Sequence, residues 1–307
     1  MEESFTHCSV CVVILGMMKR LAKLSGARRL LSRLAISACI RYEYGGNTTC
    51  TRTVRTHEAH FHKVLLESPL TAKQMCQRLD FCDMPLIYDY VREPPVYKSA
   101  APRVAVKSDA KEYLEVTHLS DVHVDLKYRV GSRVDCGEVL CCRDDIYLGS
   151  NPPTNQRQRE GASPFGEPRC DIPADFLDTL PYEALKKHIF LTGDIGPHDI
   201  WNDSLEELLK SHRVCQERVG KGREVWMVLG NHDLMPANYF AYNSTDVSKM
   251  RNSTKLLKEI GRIWKLPSTF TKAGYYRKDL GEFCVLTLNS NLYYHFNAHR
   301  YHFLMTV

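Results

Sequence analysis

Three short clusters hold most of the side chains in this sequence that can bind metal or move protons. They are "SDVH" (Ser120–His123), "TGDIGPHDIW" (Thr192–Trp201) and "LGNHD" (Leu229–Asp233), and each ends an apolar run. In an extended segment residues two apart face the same way, so Asp121 and His123 can point at one ion. The glycines before Asp194 and Asn231 permit a tight turn and a close backbone approach to a ligand. Oxygen donors mixed with imidazole suit Zn²⁺, Mn²⁺ or Fe, and two ions sharing a carboxylate can supply a hydroxide nucleophile for in-line attack on phosphorus. Asp121, His123, Asp194 and Asn231 are therefore the candidate metal ligands. His198 and His232, beside them, are candidates to contact phosphate oxygens and protonate the leaving alkoxide. Any one D-x-H or G-D is most often a turn or a helix cap. The metal reading rests on three such clusters in order, each at the end of an apolar run. Asp125, His118 and Asp199 read as supporting or ordinary loop residues and stay outside the ligand set.

The elements that must position these clusters are legible as apolar patterns. "YLEVTHL", "HIFLTG", "VWMVLG" and "FCVLTLN" read as strands. "DSLEELLKSHRVCQERV" and "STKLLKEIGRIW" read as helices, each opened by a capping residue. One helix and one strand separate Asp194 from Asn231, the span of a βαβ crossover that returns the chain parallel and brings the two residues to one sheet edge. Residues 113–307 are thus expected to form an α/β domain. Within it, the Gly-, Pro- and Cys-rich stretch 128–171 reads as an insertion held by local disulfides. Ahead of it, "REPPVYKSAAPR" marks a Pro-rich linker over 86–112. Residues 6–85 are helical in pattern, with apolar residues three and four apart and basic residues between them in "CVVILGMMKRLAKL" and "ARRLLSRLAISACI". No internal repeat is present.

The chain has 307 residues, 44% of them hydrophobic, enough for more than one core. Its net charge of +5 comes without dense Lys/Arg tracts, which argues against a nucleic-acid partner and is compatible with an anionic membrane surface. Twelve cysteines imply either metal sites or disulfides. Four N-x-[ST] sequons, at Asn47, Asn202, Asn243 and Asn252, favour a secretory or lysosomal route and hence disulfides. The apolar run Val10–Met18 follows "MEESFTH", which carries no Lys or Arg, so it is unlike a signal peptide, and it is too short to span a membrane. The expectation is that any targeting segment lies outside this sequence and that no transmembrane segment lies within it.

The linear order "SDVH", "TGDIGPHDIW", "LGNHD" and "LNSNLYY" resembles the calcineurin-like metallophosphoesterase superfamily, and within it the acid sphingomyelinases. "DCGEVLCCR" followed by "CDIP" looks like the cysteine-rich loop of that family, and the six N-terminal cysteines look like a saposin B-type domain. The resemblance implies an α + α/β architecture: a small disulfide-linked helical domain followed by an incomplete metallophosphoesterase β-sandwich flanked by helices. It implies two zinc ions, with Asp121 and His123 on one, Asp194 as the bridge and Asn231 on the other. His198 and His232 match the family's histidines for phosphate binding and leaving-group protonation. It further implies the pairs Cys8–Cys82, Cys11–Cys76, Cys39–Cys50, Cys136–Cys141 and Cys142–Cys170, leaving Cys215 and Cys284 without an assigned partner.

By the same resemblance the activity is hydrolysis of sphingomyelin to ceramide and phosphocholine, with the helical domain presenting lipid. The basic residues Lys19, Arg20, Lys23, Arg28, Arg29 and Arg33 among Leu, Ile and Met suit a helix lying on an anionic bilayer. The alternatives are a phosphodiesterase acting on nucleotides or other soluble phosphoesters, and a non-catalytic truncated lipid-binding form. The sequence departs from the family in containing no G-H dipeptide, where members carry three further histidine ligands. His295, His299 and His302 read as a chance or divergent tail rather than as replacements. As written, the chain is expected to bind two metals poorly and to be a weak or inactive enzyme.

Overall fold

The computed structural model describes residues 2–41, 45–78, 81–82, 114–144, 161–183, 185–202, 204–241, 247–280, 283–294 and 297. The Pro-rich linker, Asn243 and the histidines of the tail lie outside these residues, as does the middle of the cysteine-rich insertion.

Four helices open the chain: α1 (Glu2–Leu21), α2 (Ala27–Arg41), α3 (Asn47–Glu67) and α4 (Ala72–Arg78). The long α3 was not singled out by pattern, because "NTTCTRTVRTHEAHFHKVLLE" is polar over most of its length and buries chiefly its two ends. Helix α1 packs on α4 and α2 on α3. Cys8–Cys82, Cys11–Cys76 and Cys39–Cys50 staple these pairs around Leu15, Leu31, Leu65 and Met75. A core this small gains from such staples. The Lys19 ammonium does not face solvent freely; it donates to the carbonyls of Ser68 (2.8 Å) and Leu70 (2.5 Å), tying the α3–α4 turn to α1. No described helix is long and apolar enough to cross a membrane.

The second unit is built on three parallel strands in the order β1 (Val116–Leu119), β4 (His188–Leu191), β5 (Glu224–Met227). Between β1 and β4 run two short strands, β2 (Val124–Asp125) and β3 (Ile172–Pro173), which pair with each other. The β4-to-β5 connection is α5 (Leu205–Val219), whose Ser204 cap accepts from the Glu207 N–H at 3.3 Å. Helix α6 (Val247–Ile263) packs beside α5. It starts six residues before the predicted "STKLL", since nothing in "VSKMRN" breaks a helix. A four-residue helix, α7 (Phe270–Ala273), precedes the hairpin of β6 (Tyr276–Leu280) and β7 (Phe283–Thr287). Ile189, Leu191 and Met227 of the sheet pack with Leu209, Val219, Leu257 and Ile260 of the helices in one core.

The two units touch through α3. Glu138 of the cysteine-rich loop accepts from the backbone N–H groups of Thr48 (2.9 Å) and Thr49 (3.0 Å), capping α3 from outside the helical unit. Further along α3, the Thr56 hydroxyl donates to the Trp201 carbonyl at 3.1 Å, and His60 meets Tyr239 edge-on.

At the carboxyl ends of β4 and β5 the chain is fastened by one fully buried carboxylate. Asp233 Oδ2 accepts from the N–H groups of Asp194 and Gly230, each at 2.8 Å, and its Oδ1 from Ile195 at 2.9 Å and Gly196 at 3.4 Å. Behind it, the Trp264 indole donates to His212 Nδ1 at 3.0 Å, which places the imidazole proton on Nε2, 3.3 Å from Asp233 Oδ1. Burial alone would raise the Asp233 carboxyl, but His212 and the backbone N–H groups hold it below the usual carboxylate range.

Two expectations follow from this core. Asp233→Ala strands the N–H groups of two loops and the His212 imidazole, so urea unfolding should show a loss of about 3–5 kcal/mol. The Cys215 thiol is buried and pushed up to about 12 by burial and by Asp233, whereas Cys284 is exposed. Alkylation of the native protein followed by mass mapping should mark Cys284 and spare Cys215 until denaturant is added.

Candidate functional site

The parallel register sets the ends of β1, β4 and β5 side by side, and the three polar clusters follow those ends. Ligands in open parallel sheets gather at this carboxyl edge. The contact between the loops is close: a Cβ on Gly193 would meet the Gly230 nitrogen at 2.1 Å, and one on Gly230 would meet Asp194 Oδ1 at 2.1 Å. Only glycine fits at either position.

Ligand atoms of Asp121, His123 and Asp194 lie within 4.8 Å of one another. All three residues have positive φ, at 53°, 35° and 56°. This left-handed conformation costs non-glycine residues on the order of 1–3 kcal/mol each and concentrates at functional sites. It is held here by backbone bonds across the loops, from Asp121 N–H to the Gly193 carbonyl (3.2 Å) and from His123 N–H to the Asp194 carbonyl (2.9 Å). The His123 Nδ1 sits 2.8 Å from the Gly196 carbonyl and so carries the proton, leaving Nε2 as an electron-pair donor. The Ser120 hydroxyl donates to Asp121 Oδ2. Asp194 Oδ1 accepts from the His232 N–H at 2.7 Å. Burial raises the Asp194 carboxyl, with that hydrogen bond working the other way. Asn231 donates its amide to Asn238 Oδ1 at 2.9 Å, which turns its own carbonyl oxygen free of that bond. Two carboxylates, one imidazole with a free Nε2 and one amide oxygen fit a divalent transition metal.

Around these donors stand His198 and His232. The ring centroids of His123 and His198 are 3.8 Å apart, those of His198 and His232 4.6 Å, and those of His123 and His232 5.0 Å. Asp171 accepts from both the N–H and the Nδ1 of His198, each at 2.7 Å. That bond holds the His198 pKa above its ordinary value against the opposing effect of burial. His232 is pushed down to about 4 by burial and by the neighbouring His198 and His123. Its Nδ1 lies 3.2 Å from the Pro197 carbonyl. The two histidines thus sit in opposite environments, the pattern that separates a proton donor from a neutral partner.

The residues set aside as supporting occupy such places. Asp125 and Asp199 are buried and flank the Arg143 guanidinium, at 2.6 Å from Nε and 2.9 Å from Nη1. His118 is exposed, 3.0 Å from the Thr192 hydroxyl. Asp171, Arg143 and Asp233 were not singled out by sequence, though Asp171 is the aspartate of "CDIP". Beyond Asn231 an open cleft of about 560 Å³ is bounded by Asp194, Asn231, Tyr293 and Tyr294. The Asn291 amide donates to the Leu229 (3.0 Å) and Gly230 (3.3 Å) carbonyls, which fixes that wall to the Asn231 loop.

The cysteine-rich loop contains the disulfides Cys136–Cys141 and Cys142–Cys170. Of the sequons, Asn47 is exposed at the start of α3, and Asn252 lies in α6. The Asn202 amide donates to Glu207 at 2.7 Å while its oxygen accepts from the Ser204 N–H at 2.9 Å.

Comparison with known proteins identifies the family. Residues 114–302 match the calcineurin-like phosphoesterase family. The chain is similar to sphingomyelin phosphodiesterase B of Dictyostelium discoideum, 24% identical over 76% of this chain and 38% of that protein. It is similar to sphingomyelin phosphodiesterase 2 of Caenorhabditis elegans, 23% identical over 86% of this chain and 46% of that protein. To sphingomyelin phosphodiesterase of Homo sapiens it is 31% identical over 41% of this chain and 20% of that protein. It therefore spans less than half the length of these relatives. With the match covering well over half of its residues and including all three clusters described above, the chain belongs to the calcineurin-like phosphoesterase family.

Proposed function

We propose that this chain carries the metal- and phosphate-binding half of a phosphoric diester hydrolase acting on sphingomyelin, releasing ceramide and phosphocholine. The observation that carries the reading is the cluster of Asp121, His123 and Asp194, with Asn231 on the same cleft as Asp194, beside two histidines of opposite pKa displacement. The relatives' names supply the substrate.

Asp121 and His123 would hold one zinc, Asp194 would be shared, and Asn231 would hold a second. When bound, zinc supplies positive charge for the phosphate and lowers the pKa of water toward neutrality. The remaining chemistry falls to the chain. Asp171 occupies the Nδ1 of His198, leaving Nε2 as the nitrogen that can act on substrate, and its carboxylate favours the protonated ring, which suits His198 to donate a proton to the leaving alkoxide. His232 keeps its Nδ1 proton on the Pro197 carbonyl, so in the proposed contact with phosphate oxygens its Nε2 would have to take up a second proton, which the anionic phosphate would favour. With only Asp194 and Asn231 assigned to it, the second position is expected to be weakly filled.

The helical region, residues 6–85, is the proposed lipid-presenting module. Val10, Val13, Ile14 and Met17 form an exposed stripe along α1, followed by exposed Leu24, Leu30 and Leu34. Arg20, Lys23, Arg29 and Arg33 are exposed beside them. An apolar stripe edged with cations suits the interface of an anionic bilayer. Lys19 has no part in this, being spent on backbone carbonyls. Five disulfides and the sequons support a lysosomal or secreted location.

Two measurements test the reading. Metal content and hydrolysis of sphingomyelin and of a soluble nucleotide diester are to be followed in one preparation, with and without chelator. Substoichiometric zinc with slow, chelator-sensitive turnover of sphingomyelin is expected, and Asp194→Asn should remove both; two tightly held zinc ions per chain with rapid turnover would overturn the expectation of a weakened site. Preference for the nucleotide diester would move the substrate to soluble phosphoesters; absence of both zinc and turnover would leave a lipid-binding form. In the second measurement, flotation with phosphatidylserine-containing vesicles should be lost in Val13→Asp/Met17→Asp, and unchanged flotation would remove the helical module from the membrane.

A further inference from the structure

The Cys142–Cys170 disulfide joins residues 28 apart in sequence, and the residue following each cysteine reaches the same site loop. Arg143, next to Cys142, donates from Nη1 to Asp199 Oδ2 at 2.9 Å and from Nε to Asp125 Oδ2 at 2.6 Å. Asp171, next to Cys170, takes both N–H groups of His198 at 2.7 Å. His198 and Asp199 are consecutive. One dipeptide is therefore gripped by two side chains whose backbones are stapled together one residue away.

We propose that the Cys142–Cys170 disulfide is a positioning device for His198, with Asp171 and Arg143 as the positioning residues through which it acts. It rests on the reading above only in giving His198 a catalytic task; the positioning itself stands on the contacts. The Arg143 side chain is 1% exposed, and among the described residues its Nη2 has no hydrogen-bond partner. Two hydrogen-bonded donors and the anchored backbone hold the fork, so releasing the backbone frees it to rotate. Cys142 itself sits at φ 60° with its N–H on the Arg133 carbonyl and its carbonyl on the Arg129 N–H, which fixes the direction in which Arg143 departs. The Asp171 side has less: Cys170 makes one backbone bond, to Glu167, and β3 begins only at Ile172, opposite Val124. That pairing keeps the segment nearby when the bridge is cut. What the bridge adds is the orientation of Asp171, and through it the tautomer and direction of the His198 ring.

The test uses the full chain carrying Cys142→Ser/Cys170→Ser, with Cys39→Ser/Cys50→Ser as the control bridge in the helical unit. Histidine side-chain NMR reads the His198 Nδ1 proton bonded to Asp171, identified by its loss in Asp171→Asn. Turnover of a soluble phosphodiester is measured on the same samples. The expected result is a folded bridge variant in which that proton signal shifts or vanishes and kcat falls about 10- to 100-fold, while the control changes neither. An unchanged His198 signal in the folded bridge variant, or an equal change in the control, would overturn the proposal. If the bridge variant does not fold, Arg143→Lys decides, since a lysine cannot span both carboxylates; a retained His198 signal there also overturns it. Should the wild-type chain show no turnover while its signal responds as expected, the catalytic reading fails and the positioning inference stands.

Discussion

The site depends on one buried carboxylate. Asp233 takes four backbone N–H groups from two loops and, with the His232 N–H bond to Asp194, holds Gly193 and Gly230 in close contact. Such an anion is stable in the interior only because every lone pair has a donor and because His212, itself set by Trp264, lies behind it. The consequence reaches both loops at once. Asp194 and Asn231, 37 residues apart by number, become neighbours, and Asp194 then receives the His232 N–H.

Around this fastening the site stores conformations that a free chain would avoid. Three candidate ligands occupy the left-handed region, each braced by a bond to a neighbouring strand end or by burial of its loop. The electrostatics are arranged in the same way, by neighbours rather than by residue type. The His198 and His232 ring centres are 4.6 Å apart, yet a carboxylate partner raises one while burial and two imidazoles lower the other. Identical side chains are thereby given opposite shifts in proton affinity.

The helical unit is not an independent appendage. Its longest helix begins on Glu138, a residue of the same cysteine-rich loop that carries Arg143, and farther on it touches Trp201 and Tyr239 on either side of the site loops. Glu138 supplies what α3 lacks in its own sequence, an acceptor for its first N–H groups, since Gly46 at the cap has no side chain to offer. The exposed apolar stripe of α1 and the ligand cluster at the sheet edge are thus connected through one loop and one helix.

By itself the sequence determined the features that are written locally. Apolar runs ending in Gly-Asp and Gly-Asn made the parallel strands and their polar ends legible, and the span between Asp194 and Asn231 implied the crossover that places them together. Family resemblance carried the five disulfide pairs, which spacing alone left open. Only the tertiary structure decided who supports whom. Asp171 reaches His198 across 27 residues and Arg143 reaches Asp199 across 56, while Lys19, which looked like a membrane cation, turned inward to carbonyls 49 and 51 residues away. The weakly patterned helix α3 likewise owes its start to Glu138, about 90 residues along the chain. Periodicity and turn chemistry depend on neighbours a few residues apart, so they can be read in sequence. A buried hydrogen bond depends on which loops meet, and that is settled only when the core closes.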